Sequence, residues 1–186
     1  MKRLAVFASG SGTNFEAIAE ACKDAVIDAE VALLVCDKPG ARVVERAERY
    51  GIPVFSFNPK DYPSKAAYES EIVELLDYAK VDLVCLAGYM RIVGETLLNP
   101  YRGRIINIHP ALLPSFKGAH AIKDQFDYGV KVFGVTIHYV DETLDGGKII
   151  SQRGFEYYGD DIREVENETH RIEHELYVET INKLII

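Results

Sequence analysis

The sequence predicts an α/β protein with an open, doubly wound and mostly parallel sheet. From the first residues to Ile108, short continuous apolar runs alternate with longer segments in which apolar residues recur at helical spacing. Strands that alternate with helices pair in parallel through right-handed crossovers. In such a sheet, ligands bind beyond the carboxyl ends of the strands, so we expect the functional residues there.

Five strands of the buried type and three amphipathic helices make up this alternation. The strand-like segments are Leu4–Ala8, Val31–Cys36, Pro53–Phe55, Leu83–Ala87 and Arg104–Ile108. The helical stripes between them are formed by Phe15, Ile18, Ala19 and Cys22, then by Val43, Val44, Ala47 and Tyr50, and then by Tyr68, Ile72, Leu75, Leu76 and Ala79. Each stripe gives its helix one apolar face that can lie on the sheet.

The last third of the chain changes character. Val132–Val140 and Lys148–Phe155 are strand-like, and the connection between them is too short for a helical crossover, which predicts an antiparallel pair. An acidic helix over Asp161–Leu184 comes next, with apolar-face positions Val165, Thr169, Ile172 and Leu176. The predicted fold is therefore a Rossmann-like sheet with an antiparallel strand pair and a C-terminal helix, in one domain over residues 1–186.

The composition of the chain limits the classes of molecule that it is expected to bind. The net charge of −8 argues against nonspecific binding to nucleic acid or to an anionic membrane, and no apolar run approaches the ~20 residues that span a bilayer. Cys22, Cys36 and Cys85 lie far apart in apolar stretches, as expected of core thiols in a reducing compartment. Because no signal-peptide pattern comes after Met1, we expect a cytoplasmic protein that acts on small molecules as a monomer or homodimer.

A glycine-rich turn, Ser9–Asn14, joins the first strand to the first helix. Free N–H groups at a helix start form an anion site, and Thr13 and Asn14 add side-chain donors. The alternatives are a tight turn with a simple N-cap, or a dinucleotide fingerprint completed by Asp37. Phe15 stands where the fingerprint needs a third glycine, which favours a phosphate monoester over a pyrophosphate.

A carboxamide and an imidazole come together at the end of the fifth predicted strand. Strand alternation places Asn107 and His109 on the same side of the chain, and Pro110 and Pro114 stiffen the segment after that strand. A structural histidine with a capping asparagine remains the alternative. A zinc site with His120 and His138 lacks the usual ligand spacing.

Asp145 precedes a glycine pair in the loop between the two antiparallel strands. Asp-Gly is an ordinary turn signal, and alone it would predict no more than a turn. Combined with His109, however, it suggests a carboxylate that orients an imidazole and stabilises its charged form.

With these residues identified, the chain resembles the phosphoribosylglycinamide formyltransferases over essentially its whole length. The matching stretches are Ala8–Asn14, Leu86–Ile92, Asn107–Pro114 and Leu144–Gly147. The second and third also resemble methionyl-tRNA formyltransferases and formyltetrahydrofolate hydrolases, which carry an additional domain. The glycine loop and the length of the chain therefore favour the first family.

The resemblance implies transfer of a formyl group from the co-substrate 10-formyltetrahydrofolate to the amine of 5′-phosphoribosylglycinamide in purine (IMP) biosynthesis, without a metal ion. It implies catalytic roles for Asn107, His109 and Asp145. Phosphoribosylglycinamide would be bound by Gly12, Thr13, Asn14 and Glu173. Folate would be bound by Lys65, Met90, Arg91, Ile92, Val93, Asn107, Asp141, Glu142, Thr143, Leu144 and Asp145. Lys65 stands where arginine is frequent, which loses the bidentate geometry.

The mechanism expected of this set needs no covalent intermediate. The amine attacks the formyl carbon, and Asn107 and protonated His109 stabilise the tetrahedral oxyanion. Asp145 then helps to move the proton from the amine to the departing folate nitrogen. The alternatives are a hydrolase or another formyltransferase on the same core, a non-catalytic folate or nucleotide-binding module, and a nicotinamide-dependent oxidoreductase.

Overall fold

A single mixed sheet of seven strands organises the protein. The computed structural model describes residues 1–186, and the strand order is β3-β2-β1-β4-β5-β6-β7. The strands are β1 (Lys2–Ala8), β2 (Ala29–Cys36), β3 (Val54–Ser56), β4 (Leu83–Leu86), β5 (Ile105–His109), β6 (Val132–Tyr139) and β7 (Ile149–Glu156). The helices are α1 (Thr13–Lys23), α2 (Arg42–Arg49), α3 (Lys65–Tyr78), α4 (Glu95–Leu98), α5 (Ala121–Tyr128) and α6 (Ile162–Leu184), with a 3-10 turn at Pro59–Asp61.

The pairing of the strands confirms the predicted doubly wound sheet. β1 to β5 pair in parallel, β6 pairs antiparallel with β5, and β7 pairs antiparallel with β6. The chain winds outward from β1 to β3 and then from β4 to β7, so the winding direction reverses between β1 and β4. Ligand sites of such sheets lie at this switch point, beyond the carboxyl ends of the strands.

Two apolar layers cover the two faces of the sheet. Alternation along β1 sends Leu4, Val6 and Ala8 into a core shared with α1, α2 and α6. It sends Ala5 and Phe7 into a second core, which is shared with α3 and α4. Both faces of the central strands are therefore buried, which explains their continuous apolar sequences.

The C-terminal helix is fixed to the centre of the sheet. Asp161 caps α6 by accepting a hydrogen bond from the N–H of Arg163. The predicted stripe Val165, Thr169, Ile172 and Leu176 is buried, as its spacing indicated. Tyr177, one residue further, donates a hydrogen bond from its hydroxyl to the carbonyl of Leu86, 2.8 Å away. α6 thereby reaches the carboxyl end of β4.

The sequence pattern missed α4 and α5. α4 has four residues, and α5 buries only Ala121 and Gln125, so neither carries an apolar stripe long enough to stand out. The Gln125 amide donates to the carbonyl of Pro110, 2.9 Å away. α5 thereby supports the segment after β5.

The thiols occupy the positions expected of core cysteines. Cys36 and Cys85 are buried, and burial raises the pKa of the half-buried Cys22 to about 11. None of the helices has the length and apolar character needed to cross a membrane. The cytoplasmic location and the monomeric or homodimeric state stay predictions from the sequence.

Candidate active site

A cavity of about 600 Å³ opens at the switch point of the sheet. Its walls come from the loop after β1, the turn after β4, the end of β5, the β6–β7 connection and α6. The lining includes Gly10–Asn14, Leu86–Val93, Asn107–Pro110, Gly118, Ala119, His138, Val140, Asp141, Thr143–Asp145, His170 and Glu173.

The glycine loop is held from behind by α2. The N–H of Val43 donates to the carbonyl of Gly10 at 3.1 Å, and Nε of Arg46 donates to the carbonyl of Ser11 at 2.7 Å. Gly12 has a positive φ of 77°, and a Cβ there would lie 2.4 Å from Cγ2 of Val43. The backbone at this position therefore requires glycine.

α1 starts at this loop with no side-chain cap, so its first N–H groups remain available to an anion. Oδ1 of Asn14 is buried and has no hydrogen-bond partner. An unpaired buried carboxamide oxygen is costly unless a ligand supplies a donor. This end of the cavity is therefore suited to an anionic ligand that also carries hydrogen-bond donors.

α6 contributes an ion pair to the same end of the cavity. Nδ1 of His170 lies 2.9 Å from Oε2 of Glu173, whose side chain is only 8% exposed. This hydrogen bond raises the pKa of His170 above its usual value, although burial acts in the opposite direction. The pair adds a titratable cation beside the glycine loop.

Asn107 and His138 face each other across β5 and β6. The two residues are register partners, and Nδ2 of Asn107 lies 3.3 Å from Nε2 of His138. The other ring nitrogen of His138 lies 2.9 Å from the carbonyl of Tyr139, which only accepts hydrogen bonds. Nδ1 therefore carries a proton, and Nε2 lies between the Asn107 amide and the Asp145 carboxylate.

Asp145 lies between two buried imidazoles. Its Oδ2 is 3.6 Å from Nδ1 of His109, and its Oδ1 is 3.7 Å from Nε2 of His138. The N–H of Gly118 donates to Oδ2 at 2.9 Å. The interaction with His138, the Gly118 N–H and the charge of His109 lower the pKa of Asp145 to about 2, against the opposing effect of burial. The carboxylate is therefore ionised at neutral pH.

The two ring nitrogens of His109 have different surroundings. Nε2 lies 2.7 Å from the carbonyl of Phe116, so it carries a proton, while Nδ1 faces Asp145. Nδ1 has no closer hydrogen-bond partner in the protein, so this ring nitrogen is available to a ligand in the cavity.

The opposite end of the cavity is apolar and exposed. Met90, Ile92 and Leu144 have 64%, 66% and 56% of their surfaces exposed, whereas Val93 is buried. A group of exposed apolar side chains beside a cavity is typical of a ligand-binding site. This wall is suited to a flat, largely apolar ring system.

The β6–β7 connection closes over this wall in a compact turn. Asp141 accepts hydrogen bonds from the N–H and the hydroxyl of Thr143, which lower the pKa of Asp141. A Cβ on Gly147 would lie 1.7 Å from the carbonyl oxygen of Tyr139, so only glycine fits there. The turn holds Asp145 at a positive φ of 49°, with its carboxylate toward the histidines.

The family model for formyl transferase matches residues 2–181. The chain belongs to the formyl transferase family. This formyl transferase is 53% identical over 186 residues to phosphoribosylglycinamide formyltransferase of Bacillus subtilis (strain 168), with 100% of this chain and 95% of that protein covered. These matches confirm the resemblance to the phosphoribosylglycinamide formyltransferases that the sequence motifs indicated.

Two further relatives support the same placement. The crystal structure of glycinamide ribonucleotide transformylase 1 from Geobacillus kaustophilus superposes with a TM-score of 0.97 at 55% identity, over 99% of this chain and 98% of that one. The trifunctional purine biosynthetic protein adenosine-3 of Drosophila melanogaster is 38% identical over 187 residues. That match covers 99% of this formyl transferase and 14% of the longer protein.

The sequence predicted a set of functional side chains for this formyl transferase, and most of them line this cavity. Lys65 and Glu142 do not. Nζ of Lys65 donates to the carbonyl of Ile92 at 2.7 Å, outside the cavity wall. Glu142 forms an ion pair with Arg102 and is exposed.

Sequence reasoning assigned no role to His138 and His170. Strand alternation placed His138 on one face of its strand, but its position opposite Asn107 depends on the register of two strands. His170 lies three residues before Glu173 on α6, so the helical spacing i, i+3 was the signal that was available.

The structure also bears on the two ligand alternatives that the sequence left open. His120 is exposed at the start of α5 and is not among the residues that line the cavity, and the structure contains no group of three potential metal ligands. Asp37 is already engaged by Ser9 and Arg91, and Phe15 is fully buried in the core. The dinucleotide fingerprint therefore lacks both its free carboxylate and its third glycine.

Proposed function

We propose that this formyl transferase moves the formyl group of 10-formyltetrahydrofolate to the amine of 5′-phosphoribosylglycinamide, a step of purine (IMP) biosynthesis. The observation that carries the proposal is the position of Asn107, His109 and Asp145 between an anion site and an apolar wall in one cavity. The functions for which the Bacillus subtilis and Drosophila relatives are named support this acceptor and pathway.

The phosphate of the acceptor is assigned to the glycine loop. Gly12, Thr13 and Asn14 would supply N–H and side-chain donors, reinforced by the N-terminus of α1. Oδ1 of Asn14 would accept a hydrogen bond from a donor group of phosphoribosylglycinamide. A local site of this kind is needed because the net charge of −8 opposes anion binding elsewhere.

Glu173 is assigned to the amine-bearing part of the same substrate. Its carboxylate is nearly buried and faces the cavity beside the glycine loop. A carboxylate there accepts hydrogen bonds from an amine, an amide or ribose hydroxyls. His170 would hold that carboxylate in place while adding positive charge near the phosphate.

The folate is assigned to the opposite wall. Met90, Arg91, Ile92 and Val93 provide backbone groups and apolar surface, and the turn Asp141–Asp145 would contact the pteridine. Lys65 supports this wall through the carbonyl of Ile92. Glu142 would support the turn through Arg102.

The reaction follows from the charges at the centre of the cavity. The acceptor amine attacks the formyl carbon, and the carbonyl oxygen becomes an oxyanion. The Asn107 amide and Nδ1–H of the His109 imidazolium would donate hydrogen bonds to it, which is worth about 3–4 kcal/mol per donor in comparable sites. No covalent bond to the protein forms.

Asp145 organises the proton transfers. Its ionised carboxylate stabilises the positive charge of His109 and accepts a proton, directly or through water, from the attacking amine. The C–N bond to the folate then breaks, and the proton goes to the departing folate nitrogen. The products are the formylated amide and tetrahydrofolate, with no net change in the protein.

Turnover with defined substrates tests the assignment. The protein is incubated with 10-formyltetrahydrofolate, with and without phosphoribosylglycinamide, and the formation of tetrahydrofolate is followed. We expect turnover only when the amine is present. Turnover without the amine would indicate a hydrolase, and binding without turnover would indicate a folate-binding module.

A single substitution tests the phosphate assignment. Asn14→Ala should raise the KM for phosphoribosylglycinamide about tenfold, because a buried hydrogen-bond partner is lost, and change the folate KM much less. The matched control is Asn167→Ala on the exposed face of α6, which should leave both values unchanged. The reverse selectivity in Asn14→Ala would move the phosphate elsewhere.

A further inference from the structure

Asp37 is a buried carboxylate for which the proposed reaction has no use. It comes directly after the last residue of β2, at the carboxyl edge of the sheet, and its side chain is 0% exposed. In a dinucleotide-binding protein an acid at this place would bind a ribose hydroxyl. Here both of its oxygens contact other residues of the chain.

The two partners of Asp37 come from the end of β1 and from the turn after β4. The hydroxyl of Ser9, at the end of β1, donates to Oδ1. Nε of Arg91, in the turn after β4, donates to Oδ2 at 2.9 Å. The side chain of Arg91 is 43% exposed, so Asp37 is the buried member of the pair. One carboxylate thus links three neighbouring strands of the sheet.

Ser9 extends this link to the backbone of the same turn. Its N–H donates to the carbonyl of Gly88 at 3.0 Å, and its hydroxyl accepts a hydrogen bond from the N–H of Met90 at 2.9 Å. Because that hydroxyl has a single proton, its donation to Asp37 orients a lone pair toward Met90. The Gly88–Arg91 turn is therefore fixed at Gly88, at Met90 and at Arg91, and the last two contacts depend on Asp37.

We propose that Asp37 is a positioning residue for the formyl donor: through Ser9 and Arg91 it fixes the Gly88–Arg91 turn that forms the folate wall. The inference rests on the proposed function for the identity of the ligand on that wall. Asp37 itself does not touch the substrates. Its contacts run to the turn after β4 and not to the Gly10–Asn14 backbone, so its effect is selective for the folate.

A selective loss of folate affinity distinguishes a positioning role of Asp37 from a general contribution to stability. A substitution that merely loosens the fold lowers the melting temperature and disturbs both substrates. Loss of a support under one wall instead reduces affinity for the ligand of that wall, because binding must then order the turn. The relevant measurements are the KM for each substrate, kcat, and the Kd of tetrahydrofolate by calorimetry, which needs no turnover.

Asp37→Asn keeps the size of the side chain and removes its charge. We expect the KM for 10-formyltetrahydrofolate and the Kd of tetrahydrofolate to rise about tenfold, while kcat and the KM for phosphoribosylglycinamide stay within about twofold. The matched control is Asp28→Asn, at an exposed position just before the opposite end of β2, which should change none of these values. Equal increases in both KM values, or no change beyond that of the control, would overturn the proposal.

Variants of the two partners test the same link and do not depend on Asp37→Asn being stable. Arg91→Met and Ser9→Ala should each reproduce the selective loss of folate affinity. If Asp37 acts through Arg91, Asp37→Asn combined with Arg91→Met should be no weaker for folate than the weaker single variant. Additive losses both in this pair and in Asp37→Asn combined with Ser9→Ala would mean that Asp37 acts by another route and would overturn the proposal. A wild-type protein that fails to turn over would instead refute the proposed function.

Discussion

Oδ2 of Asp145 lies 3.6 Å from Nδ1 of His109, and both side chains are at least nine-tenths buried. The same carboxylate oxygen accepts a hydrogen bond from the N–H of Gly118. On the far side of the imidazole, Nε2 of His109 donates to the carbonyl of Phe116. Nε2 is thus occupied by the backbone, and Nδ1 is the ring nitrogen left for the proposed hydrogen bond to the substrate oxygen.

His109→Ala should lower kcat by about a hundred- to ten-thousandfold, because it removes a donor to the oxyanion and a proton carrier. Asp145→Asn should lower kcat comparably, and the double variant little further, since the two groups act as a unit. Steady-state kinetics measures each loss, and circular dichroism shows that the fold is retained. His120→Ala, outside the cavity, is the control, and near-normal turnover in both single variants would refute the assignment.

The lowered pKa of Asp145 predicts a pH-dependent contribution to stability. A carboxyl with a folded pKa of about 2 and an unfolded pKa of about 3.9 stabilises the fold by up to about 2 kcal/mol above pH 5. This contribution is lost as the pH falls from about 4 toward 2. Denaturant unfolding of wild type and Asp145→Asn should therefore differ more at pH 5 than at pH 3.

Exposed Asp28→Asn is the control for that experiment and should match wild type throughout. A difference for Asp145→Asn that stayed the same down to pH 3 would mean that the carboxylate charge does not stabilise the fold. The same pKa predicts that Asp145 contributes no limb to the pH–rate profile between pH 5 and 9, because it is ionised over that whole range.

Gly12 and Gly10 form a matched pair within one loop. Gly12→Ala places a Cβ 2.4 Å from Val43 at a positive φ, whereas Gly10→Ala meets nothing within 4 Å. We expect Gly12→Ala to lower the free energy of unfolding by about 1–3 kcal/mol and to impair phosphoribosylglycinamide binding more than tenfold. Gly10→Ala should be close to wild type in both. Equal effects would mean that the Val43 contact does not shape the loop.

The central strands were readable from the sequence because burial on both faces leaves a continuous apolar run, and the longer helices because their apolar residues recur at helical spacing. The C-terminal helix was readable because Val165, Thr169, Ile172 and Leu176 repeat on one face. α5 was not, since its contacts are a buried glutamine and an alanine whose partners lie elsewhere in the chain. Short elements held by tertiary contacts leave little periodicity.

The candidate site likewise contains residues whose proximity the sequence predicts and others whose proximity depends on the fold. Asn107 and His109 share a face because they are two residues apart on one strand, and this can be deduced from the sequence alone. Asp37 and Arg91 are 54 positions apart, so their pairing depends on the folded sheet. The position of His138 opposite Asn107 likewise requires the β5–β6 register.

Lys65 tests how far a charged residue outside the cavity affects it. Its ammonium group donates to the carbonyl of Ile92, and its side chain is exposed. Lys65→Met should therefore raise the folate KM about two- to fivefold, as expected for loss of an exposed charged hydrogen bond. Lys65→Arg retains a donor and should be closer to wild type. An unchanged KM in Lys65→Met would show that the lysine only packs or is solvated.

His170 gives the final prediction, which concerns the pH dependence of phosphate binding. Its pKa is raised by the hydrogen bond to Glu173, so the cation persists to higher pH than in a free histidine and is lost above the raised pKa. The KM for phosphoribosylglycinamide should therefore rise about two- to fivefold as the pH increases through that range, in line with a half-exposed charge pair.

His170→Asn should abolish this rise and show the higher KM at all pH values. The substrate phosphate also titrates, with a second pKa of about 6. Because this titration affects wild type and His170→Asn equally, it cancels when their KM values are compared. His120→Asn removes an exposed histidine that does not line the cavity and should retain the wild-type profile. A pH dependence that survives in His170→Asn would assign the effect to another group and leave His170 only its hydrogen bond to Glu173.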